Sequence, residues 1–238
     1  MKLAFALAGT ALVLSACATT SEEVSPTAVY DPFEGWNRGV YAFNDSADRA
    51  IIEPVAKGYR AVTNEPVRSG VSNFLSNLNQ PVVFANTVLQ GKPLASLDTA
   101  TRFFVNSTVG VAGIFDVATA LDVPRHREDF GQTLGVWGVP NGPYIVLPFL
   151  GSSNLRDTVG FGVDNAFDPL NYAQFEGDTA FRVSRQAVGV ISLRENLIEA
   201  VEILRDQPEP YVALRRNYTQ QRDAAKRDGR EQEDPIKD

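Results

Sequence analysis

The chain has 238 residues and carries 22 lysines and arginines against 29 aspartates and glutamates, a formal net charge of −7. That balance excludes the basic footprint of a nucleic-acid-binding protein. It also argues against electrostatic adhesion to anionic lipid, so any membrane contact must come from apolar surface or an anchor. With 44% hydrophobic and 21% charged residues, the length suffices for one sizeable core or two modest ones.

Met1-Lys2, an apolar stretch from Leu3 to Leu14 and the small Ser15-Ala16 form a secretory signal peptide over residues 1–16. The stretch is too short to span a bilayer comfortably. Leu14-Ser15-Ala16-Cys17 resembles a bacterial lipobox, in which the cysteine thiol receives a diacylglyceryl group and the chain is cut before the cysteine. Its new amino group is then acylated. Two or more acyl chains hold a protein stably on a membrane. The competing reading is an ordinary signal peptide with a chance cysteine. Cys17 is the one cysteine in the sequence and has no disulfide partner. Ala18 follows it, where an aspartate often marks inner-membrane retention, so the outer membrane is favoured. Residues 17–30 read as a lipidated flexible tether.

An ordered domain is expected over residues 31–227. Asp31-Pro32-Phe33-Glu34 has the pattern of a helix start, with Asp31 as cap and Glu34 completing a capping-box-like arrangement. Phe33, Trp36, Val40, Phe43, Ala47 and Ile51 then fall on one helical face. Pro54 should break or restart the helix. A short piece spans Val55 to Val62, and another helix starts near Pro66 with Val67, Val71, Phe74, Leu75 and Leu78 on one side. Asn79-Gln80-Pro81 predicts a turn, Val82 to Leu89 a largely apolar helix, and Leu94 to Val105 a further one. Residues 107–123 are small and apolar, with Gly110 and Gly113 permitting close backbone approach. They fit either a buried, re-entrant or interfacial segment or a tightly packed core helix.

Residues 124–143 are dense in glycine, proline and charge, and Glu128-Asp129 reads as a solvated face. Tyr144 to Leu147 is a candidate strand ended by Pro148 and Gly151. A helix follows from about Asn154 to Ala166, capped by Ser152 or Ser153, and Asp168-Pro169 turns the chain. A long helix from about Asp178 to Leu204 carries a stripe including Phe181, Val188, Ile191, Ile198 and Val201. Pro208-Glu209-Pro210 breaks it, and a last helix runs from Tyr211 toward Lys226. Residues 228–238 read as a disordered polar tail. The sum is mainly α with short extended segments.

Several ordered motifs now form a pattern. Asp31-Pro32-Phe33-Glu34-Gly35-Trp36-Asn37-Arg38, Tyr41-Ala42-Phe43-Asn44 and Gly70-Val71-Ser72-Asn73-Phe74 open it. Thr101-Arg102-Phe103-Phe104-Val105-Asn106-Ser107, Gly113-Ile114-Phe115-Asp116-Val117-Ala118 and Phe130-Gly131-Gln132-Thr133-Leu134-Gly135 continue it. Gly142-Pro143-Tyr144-Ile145-Val146-Leu147-Pro148-Phe149 and Leu155-Arg156-Asp157 extend it, and Pro210-Tyr211 is the main match in the last third. Together they resemble the MlaA (VacJ) family of outer-membrane lipoproteins. The resemblance implies a helical ring embedded in the membrane without spanning it, with an amphipathic pore. It implies removal of misplaced phospholipids from the outer leaflet and transfer to a periplasmic lipid-carrier protein, which maintains lipid asymmetry. A porin trimer is the implied membrane partner, and the protein would be lipid-anchored in the outer membrane, facing the periplasm.

A phospholipid headgroup crosses hydrocarbon only at high cost, so a path for it needs small polar groups on otherwise apolar helices. Asn44, Asn73, Asn77, Asn86, Asn106, Ser107 and Thr108 are of that kind, and each asparagine has caps, turns or buried hydrogen bonds as its alternative role. With the glycine-bearing segment, the candidate phospholipid path comprises Phe43, Asn44, Asn106, Ser107, Gly110 and Gly113. Cys17 is the lipid-attachment residue.

No catalytic residue is assigned. The single histidine, His126, sits in a charged loop and reads as solvated, and with one acylated cysteine a His/Cys metal site has no ligand set. No nucleophile elbow, phosphate loop or complete dinucleotide loop occurs, so no cofactor is expected. Two other classes stay open: a structural lipoprotein that scaffolds porins, and a phospholipid hydrolase.

Overall fold

The computed structural model describes residues 29–227. The signal peptide, Cys17, the tether as far as residue 28 and the tail 228–238 lie outside the described residues. The fold is mainly α. Helix α1 (Glu34–Ala47) runs through a π-helical stretch (Asp48–Ile52) into α2 (Glu53–Val62). Then come α3 (Glu65–Leu89), α4 (Pro93–Thr108), the short α5 (Val117–Ala120) and α6 (Phe130–Val136). An antiparallel hairpin, β1 (Tyr144–Leu147) and β2 (Gly151–Asn154), pairs Tyr144 with Asn154 and Leu147 with Gly151. Helices α7 (Leu155–Phe167), α8 (Asp178–Asn196), α9 (Ile198–Arg205) and α10 (Pro210–Lys226) complete it. Helix α3 packs on α8, α8 on α9, α9 on α10, α10 on α6, and α6 returns to α3. The helices therefore close a ring.

The inside of this ring is polar. Among the described residues, buried polar and charged side chains outnumber buried apolar ones. The apolar cluster is small: Val40, Tyr144, Val146 and Tyr211, with Tyr41, Val212 and Tyr218 against it. Meanwhile much of the apolar surface of the helices points outward. Trp36 is 67% exposed and Phe104 65%, and Phe33, Phe43, Ile51 and Leu97 are exposed too. On α4 the buried residues are Ala95, Ser96, Thr99, Arg102 and Asn106, the polar side of an amphipathic helix. No helix among the described residues is long and apolar enough to cross a membrane.

Helix α1 shows how such a fold is held. Asn37 is wholly buried. Its amide donates to the Tyr144 carbonyl (3.0 Å) and to Asp31 Oδ1 (2.8 Å), and its oxygen accepts from the Val146 N–H (2.9 Å). Asn44 repeats the motif: it donates to the Leu147 carbonyl (2.9 Å) and accepts from the Phe149 N–H (2.8 Å). Seven helical residues advance about 10.5 Å, and the three strand positions between the bonded groups advance about 10 Å. The two asparagines thus supply the partners that a third strand would have given the outer edge of β1. Asn37→Ala would strand a buried carbonyl and a buried N–H, each costing about 1–3 kcal/mol. A loss of about 2–4 kcal/mol in urea unfolding is expected, against less for the half-buried Asn44→Ala. A loss below about 1 kcal/mol for Asn37→Ala would show that water replaces the amide.

Several expectations are corrected. Asp31 is not the cap of α1; it accepts from Asn37, Tyr211 and Arg215 instead. Of the two roles expected of Pro54, it restarts the helix and does not break it. The π-helical stretch lets the Glu53 N–H reach the Asp48 carbonyl five residues back, and Pro54 falls in the first turn of α2. Asn79-Gln80-Pro81 is not a turn: α3 is continuous, with Gln80, Val82 and Val83 buried on either side of Pro81. Packing along α4 outweighs the local proline cost of roughly 3 kcal/mol. Residues 109–116 are a loop, not a helix. Asp129 caps α6, a helix hidden by the glycines around it. Asn154 caps α7, because Ser152 and Ser153 belong to β2. The long helix breaks at Leu197, next to Arg194 and Glu195, which are drawn into ion pairs with Asp48, Glu53, Arg60 and Arg68.

Candidate functional site

Helix α3 carries two stripes. The apolar one is legible from its valines and leucines. The other runs Glu65, Arg68, Ser69, Ser72, Asn73, Ser76, Asn77 and Gln80, steps of one, three and four that keep it on one face. The first five of these residues line a cavity of about 330 Å³ together with Glu195 and Asn196 of α8. Asn73 also lines a second, very small cavity of about 10 Å³, with Ser76, Asn77 and Gln80 of α3, Arg102 and Asn106 of α4, Asp116 and Arg125. The polar face of α3 therefore borders both an open chamber and, beyond the shared Asn73, a very small cavity, the constriction. Spacing could have revealed this stripe, but Ser and Asn at helical intervals are more often surface residues.

The constriction is organised by Asp116. Its carboxylate accepts from Arg102 Nη2 at 2.7 Å through both oxygens, and from Asn106 (3.0 Å), the Thr119 N–H (3.2 Å) and the Thr119 hydroxyl (2.7 Å). Burial pushes this carboxyl up. The hydrogen bonds from Thr119 and Asn106, with the charge of Arg102, outweigh that and hold it at about 2, below its ordinary value of 3.8. A depressed carboxylate stabilises the fold above its unfolded value, and that stabilisation is lost as pH falls through the folded one. Asp116 should contribute on the order of 1 kcal/mol after solvent screening. Unfolding free energy should fall between about pH 4 and pH 2, less steeply in Asp116→Asn. Equal slopes for the two proteins would remove Asp116 from this role.

The loop 109–116, which ends at Asp116 in the wall of the constriction, has an unusual conformation. Val111 (φ 51°), Ala112 (φ 57°) and Gly113 (φ 91°) are all left-handed. This costs a β-branched residue on the order of 1–2 kcal/mol. The backbone is held by Ala112 N–H to Ser107 O (3.0 Å), Gly113 N–H to Asn106 O (2.7 Å) and Phe115 N–H to Gly110 O (2.9 Å). A Cβ on Gly110 would lie 2.2 Å from the Phe115 carbonyl oxygen, and one on Gly113 would lie 2.4 Å from Asn77 Cβ. Val109, Val111 and Phe115 point outward and are exposed.

The structure gathers four of the predicted path residues. Asn106 bonds Asp116 and, through its oxygen, the Ala118 N–H; Ser107 accepts from Asn77 (2.8 Å); Gly110 and Gly113 shape the loop beside them. Phe43 and Asn44 belong to another neighbourhood, the tip of the hairpin, where the Phe43 ring meets Phe149 edge-on at 5.3 Å. Asn86 is a buried structural residue bonded to Asp164 and Thr133. His126 is not simply solvated: it is half-buried and bonded to Asp98 at 3.0 Å. Nor are Glu128 and Asp129 a solvated face. Glu128 is buried against Lys92 and Gln90, and Asp129 pairs with Arg222. Asn77 was recognised from sequence as a polar residue of the right kind, but Arg68, Arg102, Asp116 and Arg125 were not singled out as path residues, because their significance lies in meeting one another.

The family model for the MlaA lipoprotein matches residues 29–225. The chain belongs to the MlaA lipoprotein family. It is 35% identical over 227 residues to the intermembrane phospholipid transport system lipoprotein MlaA of Escherichia coli (strain K12), covering 94% of this chain and 88% of that one. The Haemophilus influenzae MlaA lipoprotein is 32% identical over 213 residues, 88% of this chain and 84% of its own. The fold matches a structure solved in work on the structural basis for maintenance of bacterial outer membrane lipid asymmetry. The TM-score is 0.73 at 36% identity, covering 82% of this chain and 98% of that chain. The MlaA resemblance of the motifs is thus confirmed over the whole helical domain.

Proposed function

We propose that this MlaA-family protein moves phospholipids out of the outer leaflet of the outer membrane, and that their headgroups travel along the polar stripe of α3. The observation that carries the reading is the inverted amphipathicity of the ring: polar faces of α3 and α4 inward, apolar faces outward. An outward apolar surface is stable in hydrocarbon, and a polar interior lets a headgroup pass while tails stay in lipid. The names of the Escherichia coli and Haemophilus influenzae relatives point the same way. In this reading the loop 109–116 lies in or beside the bilayer through Val109, Val111 and Phe115. Acylated Cys17 anchors the chain on the periplasmic side, a porin trimer holds it in the membrane, and a periplasmic carrier protein receives the lipid. The role is transport without catalysis.

The test is outer-leaflet phospholipid in a deletion strain. It should rise on deletion, return to normal with the wild-type gene, and stay high with Ser72→Trp, which obstructs the 330 Å³ chamber. An unchanged outer leaflet in the deletion strain would overturn the reading.

A further inference from the structure

The constriction has a charge and hydrogen-bonding pattern that its own residues leave incomplete. Its lining holds two guanidiniums, Arg102 and Arg125, and one carboxylate, Asp116. Arg102 is 2% exposed, and its Nε–H has no partner. Both Asp116 oxygens are met by the single nitrogen Nη2 and Nη1 donates to the Val123 carbonyl (2.7 Å), so the Nε–Nη2 edge that suits planar or tetrahedral oxyanions has only its Nη2 end engaged. Arg125 donates to the Ser76 hydroxyl at 2.5 Å, and among the described residues no carboxylate is bonded to it. Asn77, 4% exposed, leaves Oδ1 unmatched in the same cavity, and its amide can equally be turned over to present N–H groups.

We propose that this constriction is a phosphodiester subsite, in which Arg102 and Arg125 hold a phosphate and Asp116 is the internal counter-ion that the phosphate displaces from Arg102. The inference rests on the lipid-path reading and names the headgroup chemistry the path recognises. The lining has an excess of one positive charge, and a phosphodiester brings one negative charge. A cavity of about 10 Å³ admits only a water-sized group, so a phosphate enters as the Asp116 side chain leaves. Asp116 stands at the end of the loop 109–116, which makes headgroup arrival and loop displacement one event. Shared Asn73 connects the subsite to the larger chamber. Burial and then the neighbouring Arg127 and Arg102 lower the pKa of Arg125, with the charge of Asp116 opposing them.

The experiment titrates the full-length lipoprotein in detergent with dihexanoyl phosphatidylethanolamine, with dihexanoylglycerol, and with inorganic phosphate, by calorimetry. The phospholipid should bind about tenfold more tightly than the glyceride, and more tightly than inorganic phosphate. Arg125→Gln should weaken phospholipid binding about tenfold and Arg125→Lys should restore part of it. Asp116→Asn removes the competing charge while keeping a good helix cap, so it should tighten binding about tenfold and enlarge the thermal shift on adding phospholipid. If folded Asp116→Asn binds no more tightly than wild type, the counter-ion role is overturned. If Asp116→Asn does not fold, Arg125 decides alone, and unchanged affinity in Arg125→Gln overturns the subsite. Equal affinities for inorganic phosphate and phospholipid would assign the site to free phosphate and overturn the lipid form. Flat affinities in a protein whose deletion still raises outer-leaflet phospholipid would sink the subsite and leave the lipid path standing.

Discussion

Replacing Arg205 by glutamine is expected to cost about 2–4 kcal/mol, somewhat below the roughly 3–5 kcal/mol for removing one partner of a fully buried ionic cluster, because its carboxylate partners stay partly exposed. Arg205 is 11% exposed and donates to Asp45 (2.7 Å), Glu53 (2.5 Å) and Asp48 (2.8 Å). Arg194 shares Asp48 and Glu53. In an uninterrupted α-helix Asp45, Asp48 and residue 52 would share a face. The π-helical stretch inserts one extra residue, so Glu53 takes that place. The cluster thus depends on the helical irregularity and fastens α1 and α2 to α8 and α9. Arg205→Lys should recover only a minority of the loss, since an ammonium cannot reproduce a three-way planar fork. Arg205→Gln combined with Asp48→Asn should be less damaging than Arg205→Gln alone. The measurement is the denaturant midpoint in detergent. A loss near that of a surface pair, below about 1 kcal/mol, would show that water already screens these charges.

Gly113→Ala is expected to disturb both stability and transport. The left-handed φ of 91° penalises any Cβ, and here the Cβ would sit 2.4 Å from Asn77 Cβ and 2.8 Å from its amide nitrogen. Asn77 cannot retreat without giving up its bond to Ser107. Backbone strain and overpacking together suggest a loss of about 2–4 kcal/mol. Since Gly113 packs on Asn77 and the loop ends at Asp116, both in the wall of the constriction, outer-leaflet phospholipid should also change at matched protein levels. Gly138→Ala is the control. Gly138 also has a positive φ, but a Cβ there meets nothing within 4 Å. Similar effects from the two substitutions would mean that backbone strain, not contact with Asn77, is the cause.

Helix positions and the β1 strand were readable because they depend on neighbours in sequence: Pro54, Pro93 and Pro210 in first turns, Gly91 past the end of α3, β-branched residues in Tyr144–Leu147. Asn106, Ser107, Gly110 and Gly113 were also recognisable as a group, since small and polar residues in an apolar run are unusual. What failed was orientation. Phe33, Trp36 and Phe43 mark a face without saying whether protein or lipid covers it, and an inside-out ring reverses the assumption appropriate to a water-soluble core. Asn44 had the composition of a path residue and a structural position, because a side-chain amide serves equally well on a headgroup route or along a strand edge.

By itself, then, the sequence determined most of the helical segments, the first strand of the hairpin, the amphipathic stripes and the motifs of the MlaA family, all set by local spacing and residue type. Only the tertiary structure decided which stripe faces inward, that Asp45, Asp48 and Glu53 meet Arg194 and Arg205 across more than 140 residues of chain, and that Arg102, Asp116 and Arg125 surround one cavity. The physical reason is that charge pairing and polar burial depend on distance in space. A carboxylate's partner can lie anywhere along the chain, and the balance between desolvation and pairing exists only once both are placed.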